Sequence, residues 1–583
     1  MDAPTNVSPS KRIRLYSTIL AAVALVFAFR LFYLQVVKAD YYEAQARATQ
    51  LKQYEIPAER GSIYAYDGGE IVPLVMNETR YRITADPKII KDAQKTAEAL
   101  SPIVNRPVED IKKQLEATSR YEIIANKQTK EQKDTISALK LAGIFTNEKV
   151  PLRVYIQGSI AGQVLGFVND EGKGNYGIEQ YFDEDLTGTA GKVKALTDQN
   201  NVPLLATEEN VLIDPIDGKD IVLTLDVSMQ RHVEQLLKEG LKNAQSDSGS
   251  LIVLDANSGA VKAMANYPSY DPAKFAEIED ASLFTNPAVS SPLEPGSVMK
   301  TLTTAAALDS GAVTADQTYY DPSYFQVDDA VVKNIEEDGG AATRSVSDIL
   351  RFSLNTGATW LLMQMGGGQL NEKGRVVWHD YMVNHYNFGA KTGIEQGYEA
   401  EGLIPDPKEG YGLNIRYANT AFGQGMTVTP LQMATAVMSV VNGGVYYQPS
   451  LISGNLDVDG NLQTKEPTIK NNHVVSNETS KTVVSFMNNV VNNNNRPAVR
   501  DGYQVGGKTG TAEIANPAGG YYEDRFNGTY VGYVGGDKPQ YIIMVRVNEP
   551  KIGGYAGSKA AGPIFASTVN MLIDNFTVSR ISN

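Results

Sequence analysis

The segment Leu293-Glu294-Pro295-Gly296-Ser297-Val298-Met299-Lys300 constrains the fold of this chain more tightly than any other stretch. Pro295 and Gly296 form a turn that cannot sit inside a helix, whereas Val298 to Leu308 (VMKTLTTAAAL) reads as a buried helix. Ser297 is therefore expected in the first helical turn, where free backbone N–H groups and the helix dipole favour developing negative charge. Residues three apart on a helix are neighbours, so the Lys300 amine can reach the Ser297 hydroxyl and, when neutral, take its proton. That arrangement suits acyl transfer.

A lone Ser-x-x-Lys arises by chance in most chains of this length. Its weight here comes from two companions in fixed order: Ser353-Leu354-Asn355 in a second helix-like stretch, and Lys508-Thr509-Gly510-Thr511 in a strand-like one. The trio resembles the Ser-x-x-Lys, Ser-Asp-Asn and Lys-Thr-Gly set of class A β-lactamases and penicillin-binding proteins.

With 583 residues, 42% of them hydrophobic, the chain is too long for one ordinary core, and two or three domains are expected. A formal charge of -14 argues against nucleic acid as a partner, since such binding rests on a basic surface. The absence of cysteine excludes disulfides and thiolate sites and suits an exported protein. His232, His379, His385 and His473 are too scattered to suggest a metal site, and no metal or organic cofactor is expected.

Leu15 to Val37 is a run of 23 residues whose only charge is Arg30, long enough to span a hydrocarbon core of about 30 Å. Lys11, Arg12 and Arg14 precede it, so residues 1–14 are expected to form a cytoplasmic tail, with everything after Val37 outside. A cleaved signal peptide, with Ala44-Gln45-Ala46 as the small-residue site, is the alternative. Tyr41 to Tyr54 then reads as an amphipathic helix. Glu59 to Ile63, followed by Asp67-Gly68, reads as strand and turn.

The charged patterns Val108 to Ala117 and Thr129 to Leu141 read as helices with solvated faces. Composition shifts near Ile221 to Asp226, a strand leading into a helix from about Val227. Ser250 to Leu254 and Ala260 to Ala265 form an expected hairpin across Asn257-Ser258-Gly259. Strands return at Thr529 to Val534 and Tyr541 to Val547, before a last helix from about Ala560 to Phe576. The Asn-rich tract Asn488 to Asn495 reads as a loop. Helices between groups of strands predict an α/β (α+β) layered domain with an antiparallel sheet.

Two motifs compete with the assignment of Lys508. Gly502 to Thr509 formally satisfies a phosphate-loop pattern, but such a loop must open a helix, and Thr511 to Ile514 is strand-like. A second triplet, Lys391-Thr392-Gly393, lies in a glycine-rich connection without apolar alternation, so catalysis is assigned to Lys508. On an exposed strand edge Gly510 leaves room for a substrate backbone, and Thr509 and Thr511 can donate hydroxyls to a carboxylate.

The extracellular portion thereby resembles a class B penicillin-binding protein, a peptidoglycan D,D-transpeptidase. Arg60-Gly61-Ser62-Ile63, Gly166-Phe167-Val168, Gly177-Ile178-Glu179, Phe422-Gly423-Gln424-Gly425 with Thr429-Pro430-Leu431-Gln432, and Lys508 to Ala512 resemble motifs of that family. They cover roughly Arg60 to Phe565. The resemblance implies a transmembrane helix at 15–37, a mixed α+β pedestal, dimerisation-like, at 38–220, and a transpeptidase domain at 221–583. It implies Ser297 as the acylated nucleophile, Lys300 as its base and Ser353 as a proton relay to the leaving amine. Asn355 and Lys508 would orient the substrate, and the backbone N–H groups of Ser297 and Thr511 would form the oxyanion hole. A neutral Lys300, favoured by burial and by the positive Lys508 nearby, is what the base role requires. Glu513 departs from the glutamine expected after Gly-Thr-Ala.

A β-lactamase would need a route for fast deacylation by water and gains nothing from the extra domain and anchor; a D,D-carboxypeptidase of the same fold is the other alternative. The expected reaction takes the D-Ala-D-Ala end of one stem peptide, releases D-alanine and passes the acyl group to an amine on a neighbouring stem. Expected partners are peptidoglycan stem peptides, β-lactam antibiotics, the plasma membrane and a polytopic glycan polymerase (FtsW-like). A role in division is expected over one in elongation, from the compact first domain, the lack of appended C-terminal modules and Phe422 to Gly425.

Overall fold

The computed structural model describes residues 9–42, 51–196, 211–334, 340–516 and 519–582. Two compact units divide the chain, residues 1–60 with 187–218, and residues 61–186 with 219–583.

The first unit carries the apolar helix Pro9–Phe32, continued by a wider π turn at Tyr33–Val37. Ile13–Val37 has a mean hydropathy of 2.1 and is long and apolar enough to cross a membrane. Leu51–Ile56, Gly191–Leu196 and Val211–Ile213 form a three-stranded antiparallel sheet. This corrects the end of the helix expected over Tyr41 to Tyr54: Tyr41 and Tyr42 are helical, but Leu51 to Tyr54 are strand. Leu51 pairs with Leu196 and Ile56 with Gly191, and long-range pairing of this kind overrides a helical period. Residues 43–50, including the Ala44-Gln45-Ala46 tripeptide, lie outside the described residues.

The second unit contains two large sheets. In one, Ile63–Asp67 pairs antiparallel with Glu70–Ala85 and parallel with Asp220–Asp226, which in turn pairs with Ile452–Leu456. The boundary expected between residues 220 and 221 thus falls at the start of a strand whose neighbours come from both sides of it. Helices Ala93–Val104, Val108–Leu115 and Lys130–Ala138 close a separate core around Ile83, Leu100, Ile111, Ile124 and Ile136. Their charged faces are solvated, and Thr129 and Gln132 cap the third helix reciprocally.

The other sheet is antiparallel throughout, in the order Val261–Tyr267, Ser248–Asp255, Pro539–Asn548, Tyr521–Gly535 and Gln504–Ala515. Both faces are covered, which is why its strands read as unbroken apolar runs. Leu251, Val253, Ile543 and Val545 face helices Val227–Ala244 and Gly562–Asn575. Their alternates Ile252, Leu254, Ile542 and Met544 share the opposite core with Met299 and Leu302 of helix Met299–Asp309. Met299 and Leu302 are fully buried, each worth about 1.5–3 kcal/mol of transfer free energy, and so they hold the helix that follows Ser297 against the sheet. Among the described residues Gln504–Ala515 has a strand on one side only, leaving an edge beside that helix.

The Asn-rich tract is not a loop. It completes helix Asn477–Asn494, whose Val483, Met487, Val490 and Val491 are buried. Asparagine is a poor helix former because its side chain competes for the backbone, but here those side chains are engaged elsewhere. Asn488 accepts from Tyr533 O–H at 2.7 Å, Asn489 donates to Ser347 at 3.1 Å and Asn494 to the Arg351 carbonyl at 2.6 Å.

Candidate active site

Gly296 has φ +64, and a Cβ there would lie 2.9 Å from the Thr511 carbonyl oxygen, so only glycine allows this turn to press against the edge strand. A short 3-10 turn, Gly296–Val298, carries Ser297 into helix Met299–Asp309. Lys300 follows on the same face, fully buried, with Nζ 2.8 Å from Ser297 Oγ.

Ser353-Leu354-Asn355 differs from the helical stretch expected. Helix Val346–Arg351 ends before it, helix Asn355–Met365 begins at its last residue, and Ser353 itself has φ +58. A non-glycine residue is rarely held in this left-handed region, and the strain is offset by three contacts. Lys300 donates to the Ser353 carbonyl oxygen and lies 3.2 Å from Ser353 Oγ. Lys508 donates to the same hydroxyl at 2.9 Å. Asn355 closes the ring: its Oδ1 accepts from Lys300 at 2.8 Å and its Nδ2 donates to the Lys333 carbonyl at 3.1 Å.

Lys508 sits in the edge strand Gln504–Ala515 and is only 1% exposed. The strand continues to Ala515 and opens no helix, which removes the geometry a phosphate loop requires. Lys508, Gly510 and Ala512 are buried, while Thr509, Thr511 and Glu513 alternate with them on the half-open face. A Cβ on Gly510 would lie 2.2 Å from Thr529 Oγ1 and 2.7 Å from the Pro295 carbonyl oxygen. Thr511 Oγ1 accepts from the Gly557 N–H at 3.0 Å, which leaves its hydroxyl hydrogen for a ligand. Ser297, Lys300, Ser353, Asn355 and Lys508 are therefore one hydrogen-bonded cluster, with Thr509, Gly510 and Thr511 beside it. Lys391 is elsewhere, exposed in a connection whose Thr392 and Gly393 N–H groups bind the Glu399 carboxylate at 2.6 Å and 3.1 Å.

Sequence reasoning passed over Glu294. Its Oε1 accepts from the Gly425 N–H and from Tyr521 O–H, each at 3.0 Å, tying the Phe422 to Gly425 loop and the edge hairpin to the residue before Pro295. Burial pushes its carboxyl above the usual carboxylate range, and the negative Glu513 adds to this, against the lowering effect of the two hydrogen bonds. Glu513 itself accepts from Gln424 at 2.9 Å. The only signal in the sequence is adjacency to Pro295-Gly296.

A serine hydroxyl held against a buried amine, at the first turn of a helix and beside a free strand edge, is an arrangement for forming and transferring an acyl group to or from a peptide. Comparison with known proteins agrees. A family model described as the penicillin binding protein transpeptidase domain matches residues 249–570, more than half of the chain, and one described as the penicillin-binding protein dimerisation domain matches residues 55–223. Stage V sporulation protein D of Bacillus subtilis is 30% identical over 96% of this chain and 85% of its own. Peptidoglycan D,D-transpeptidase FtsI of Escherichia coli is 26% identical over 97% of this chain and 92% of its own. Penicillin binding protein 3 of Mycobacterium tuberculosis, solved in complex with aztreonam, superposes with a TM-score of 0.67 at 25% identity, covering 91% of this chain and all of that one. With the ordered motifs gathered at one site and both domain types matched in sequence, the chain belongs to the class B penicillin-binding proteins.

Proposed function

We propose that this transpeptidase cross-links peptidoglycan through an acyl-enzyme on Ser297. The observation that carries the reading is the 2.8 Å approach of Lys300 Nζ to Ser297 Oγ, with Ser353 O and Asn355 Oδ1 around the same amine. A neutral amine has two N–H groups; these two oxygens can only accept, so together they can take both. Its lone pair is then left for the Ser297 hydroxyl, as a general base requires.

Ser297 Oγ attacks the carbonyl carbon of the D-Ala-D-Ala bond while its proton passes to Lys300. The oxyanion is held by the Ser297 and Thr511 N–H groups. As the tetrahedral intermediate collapses, the proton reaches the leaving amine through Ser353 and D-alanine departs. The amine of a second stem then attacks the ester, loses its proton by the reverse route and frees Ser297. Lys508, Thr509 and Thr511 bind the terminal carboxylate, Asn355 orients the donor peptide, and Gly510 lets it lie along the edge.

β-Lactams acylate the same serine in this reading. The enzyme is anchored by the helix at Ile13–Val37, with its basic flank Lys11, Arg12 and Arg14 in the cytoplasm, and works beside a membrane-embedded glycan polymerase. Its place of action is the division septum, for which Phe422 to Gly425 is the supporting resemblance. A relative named for sporulation gives specific weight to a second reading, a role in spore formation. A fluorescent fusion at midcell in growing cells supports the first; one seen only in sporulating cells supports the second.

The decisive test is mass spectrometry after incubation with benzylpenicillin. A single adduct is expected on a peptide containing Ser297, absent from a folded Ser297→Ala protein. Labelling at another serine overturns the assignment, and rapid release of hydrolysed penicillin would favour a β-lactamase.

A further inference from the structure

Asp321 ends strand Thr318–Asp321 and is fully buried. Its carboxylate accepts from three neutral donors: the Ser323 N–H at 2.8 Å, Asn334 Nδ2 at 2.9 Å and Thr356 Oγ1 at 2.8 Å. A carboxylate is costly to bury, and several hydrogen bonds are what make it tolerable. Two of these donors belong to residues adjoining the active site. Thr356 follows Asn355, and Asn334 follows Lys333, whose carbonyl receives the Asn355 amide. The Thr356 N–H also donates to Asn334 Oδ1 at 3.1 Å, so Asp321, Asn334 and Thr356 form a closed ring of hydrogen bonds.

This ring bears on which way round the Asn355 carboxamide sits. Its two ends are nearly the same shape but opposite in hydrogen-bonding character. With Nδ2 fixed on the Lys333 carbonyl, Oδ1 must face Lys300. Turned over, the amide would present an N–H donor to the Lys300 amine, and the N–H that Oδ1 now occupies could no longer be held there. The lone pair would then lose its fixed direction toward Ser297. The Lys333 carbonyl keeps its place because Asn334, one residue on, is held at both ends of its own amide, by Asp321 and by the Thr356 N–H.

We propose that Asp321 is a positioning residue for acylation: acting through Asn334 and Thr356, it locks the orientation of Asn355 and thereby that of the Lys300 amine. The inference rests on the acyl-transfer reading of Ser297 and Lys300. Asp321 touches no substrate atom; its contribution is a fixed arrangement of two side chains that do.

The test uses the full-length detergent-solubilised protein and benzylpenicillin, resolving the non-covalent dissociation constant from the limiting rate of acylation. Thr356→Val keeps the shape and removes one bond of the ring. Its limiting rate should fall at least roughly tenfold while the dissociation constant stays within about threefold, and Thr356→Ser, which restores the hydroxyl, should acylate within about twofold of wild type. Asp321→Asn replaces an acceptor by a donor, and it cannot satisfy both Asn334 and Thr356 unless Asn334 turns over and gives up the Thr356 N–H. It should lose at least as much as Thr356→Val. Should Asp321→Asn fail to fold, the threonine pair carries the test. The inference is overturned if Thr356→Val acylates within about twofold of wild type, if its loss lies in the dissociation constant, or if Thr356→Ser loses as much. Wild-type protein labelled at Ser297 in the same experiment separates that outcome from failure of the acyl-enzyme reading itself.

Discussion

Lys508 donates a 2.9 Å hydrogen bond to the hydroxyl of Ser353, a residue 155 positions earlier in the chain. The same hydroxyl lies 3.2 Å from Lys300 Nζ, so one small side chain separates two buried lysines. Two amines so close repel each other when both are charged. A hydroxyl that both donates and accepts can move a proton between them, whereas a carbonyl or an ammonium cannot. The left-handed backbone at Ser353 is what turns this hydroxyl out of the helices on either side.

The two Lys-Thr-Gly triplets should separate cleanly in kinetics. Lys508→Ala removes the donor to Ser353 and should slow penicillin acylation by at least roughly a hundredfold, or about 3 kcal/mol of transition-state stabilisation. Lys391→Ala, at an exposed position away from the cluster, should acylate at the wild-type rate. Equal losses at both lysines would refute the assignment.

Gly423 packs directly against the Ser297 turn. Its carbonyl accepts from the Gly296 N–H at 3.0 Å, its φ is +88, and a Cβ would lie 2.1 Å from the Gly296 carbonyl oxygen. Gly423→Ala must therefore push the turn away from the edge strand. Acylation should drop at least roughly tenfold, with about 1–3 kcal/mol of stability lost to backbone strain. Gly425 is the contrast, with φ +73 but open space where a Cβ would go, so Gly425→Ala should show the strain with a much smaller loss of acylation. Similar kinetics for the two variants would mean that close packing at Gly423 does not set the position of Ser297.

Much of the site could be read from the sequence because its parts are short and their spacing carries the geometry. Ser297 and Lys300 are three positions apart, and the period of two in Lys508 to Ala512 sets which side chains share a face. What local reasoning missed depends on distant chain. Leu51–Ile56 is a strand because Gly191–Leu196 lies beside it, and Asn488 to Asn494 is helical because Tyr533, Ser347 and Arg351 engage its amides. Ser-Leu-Asn reads as helix because it has no glycine or proline to mark the break. The break is imposed by the two lysines, both far away in sequence.

Glu294 predicts a pH dependence of stability. Burial, with Glu513 nearby, holds its carboxyl above the ordinary range, so the fold favours the protonated form. The resulting stabilisation is complete below the unfolded value and is lost as pH rises through the raised folded value. Glu294→Gln cannot ionise yet keeps a carbonyl for the Gly425 N–H and Tyr521 O–H. Its thermal midpoint at neutral pH should exceed that of wild type by on the order of 1 °C, the group being partly solvated and screened. The gap should close between about pH 7 and pH 4. A difference that stays constant across that interval would show that the carboxyl does not titrate as described.

The last prediction concerns the side of the membrane on which this chemistry occurs. Ile13–Val37 is unburied and apolar, and the basic residues Lys11, Arg12 and Arg14 all lie at its N-terminal end or ahead of it. Moving such a basic flank across a bilayer is disfavoured, so the helix should insert with that end in the cytoplasm and the two large sheets outside. Protease added to spheroplasts should then digest the sheets, and a reporter active only in the cytoplasm should be silent when fused after Asn583. If the helix is retained as an anchor, mass spectrometry of the mature protein should recover peptides from the sequence before Leu15. A mature N-terminus just after Ala46 would instead show release from the membrane. That outcome would leave the chemistry at Ser297 intact, but it would remove the argument for a membrane-embedded polymerase as partner, because nothing would then hold the enzyme beside one.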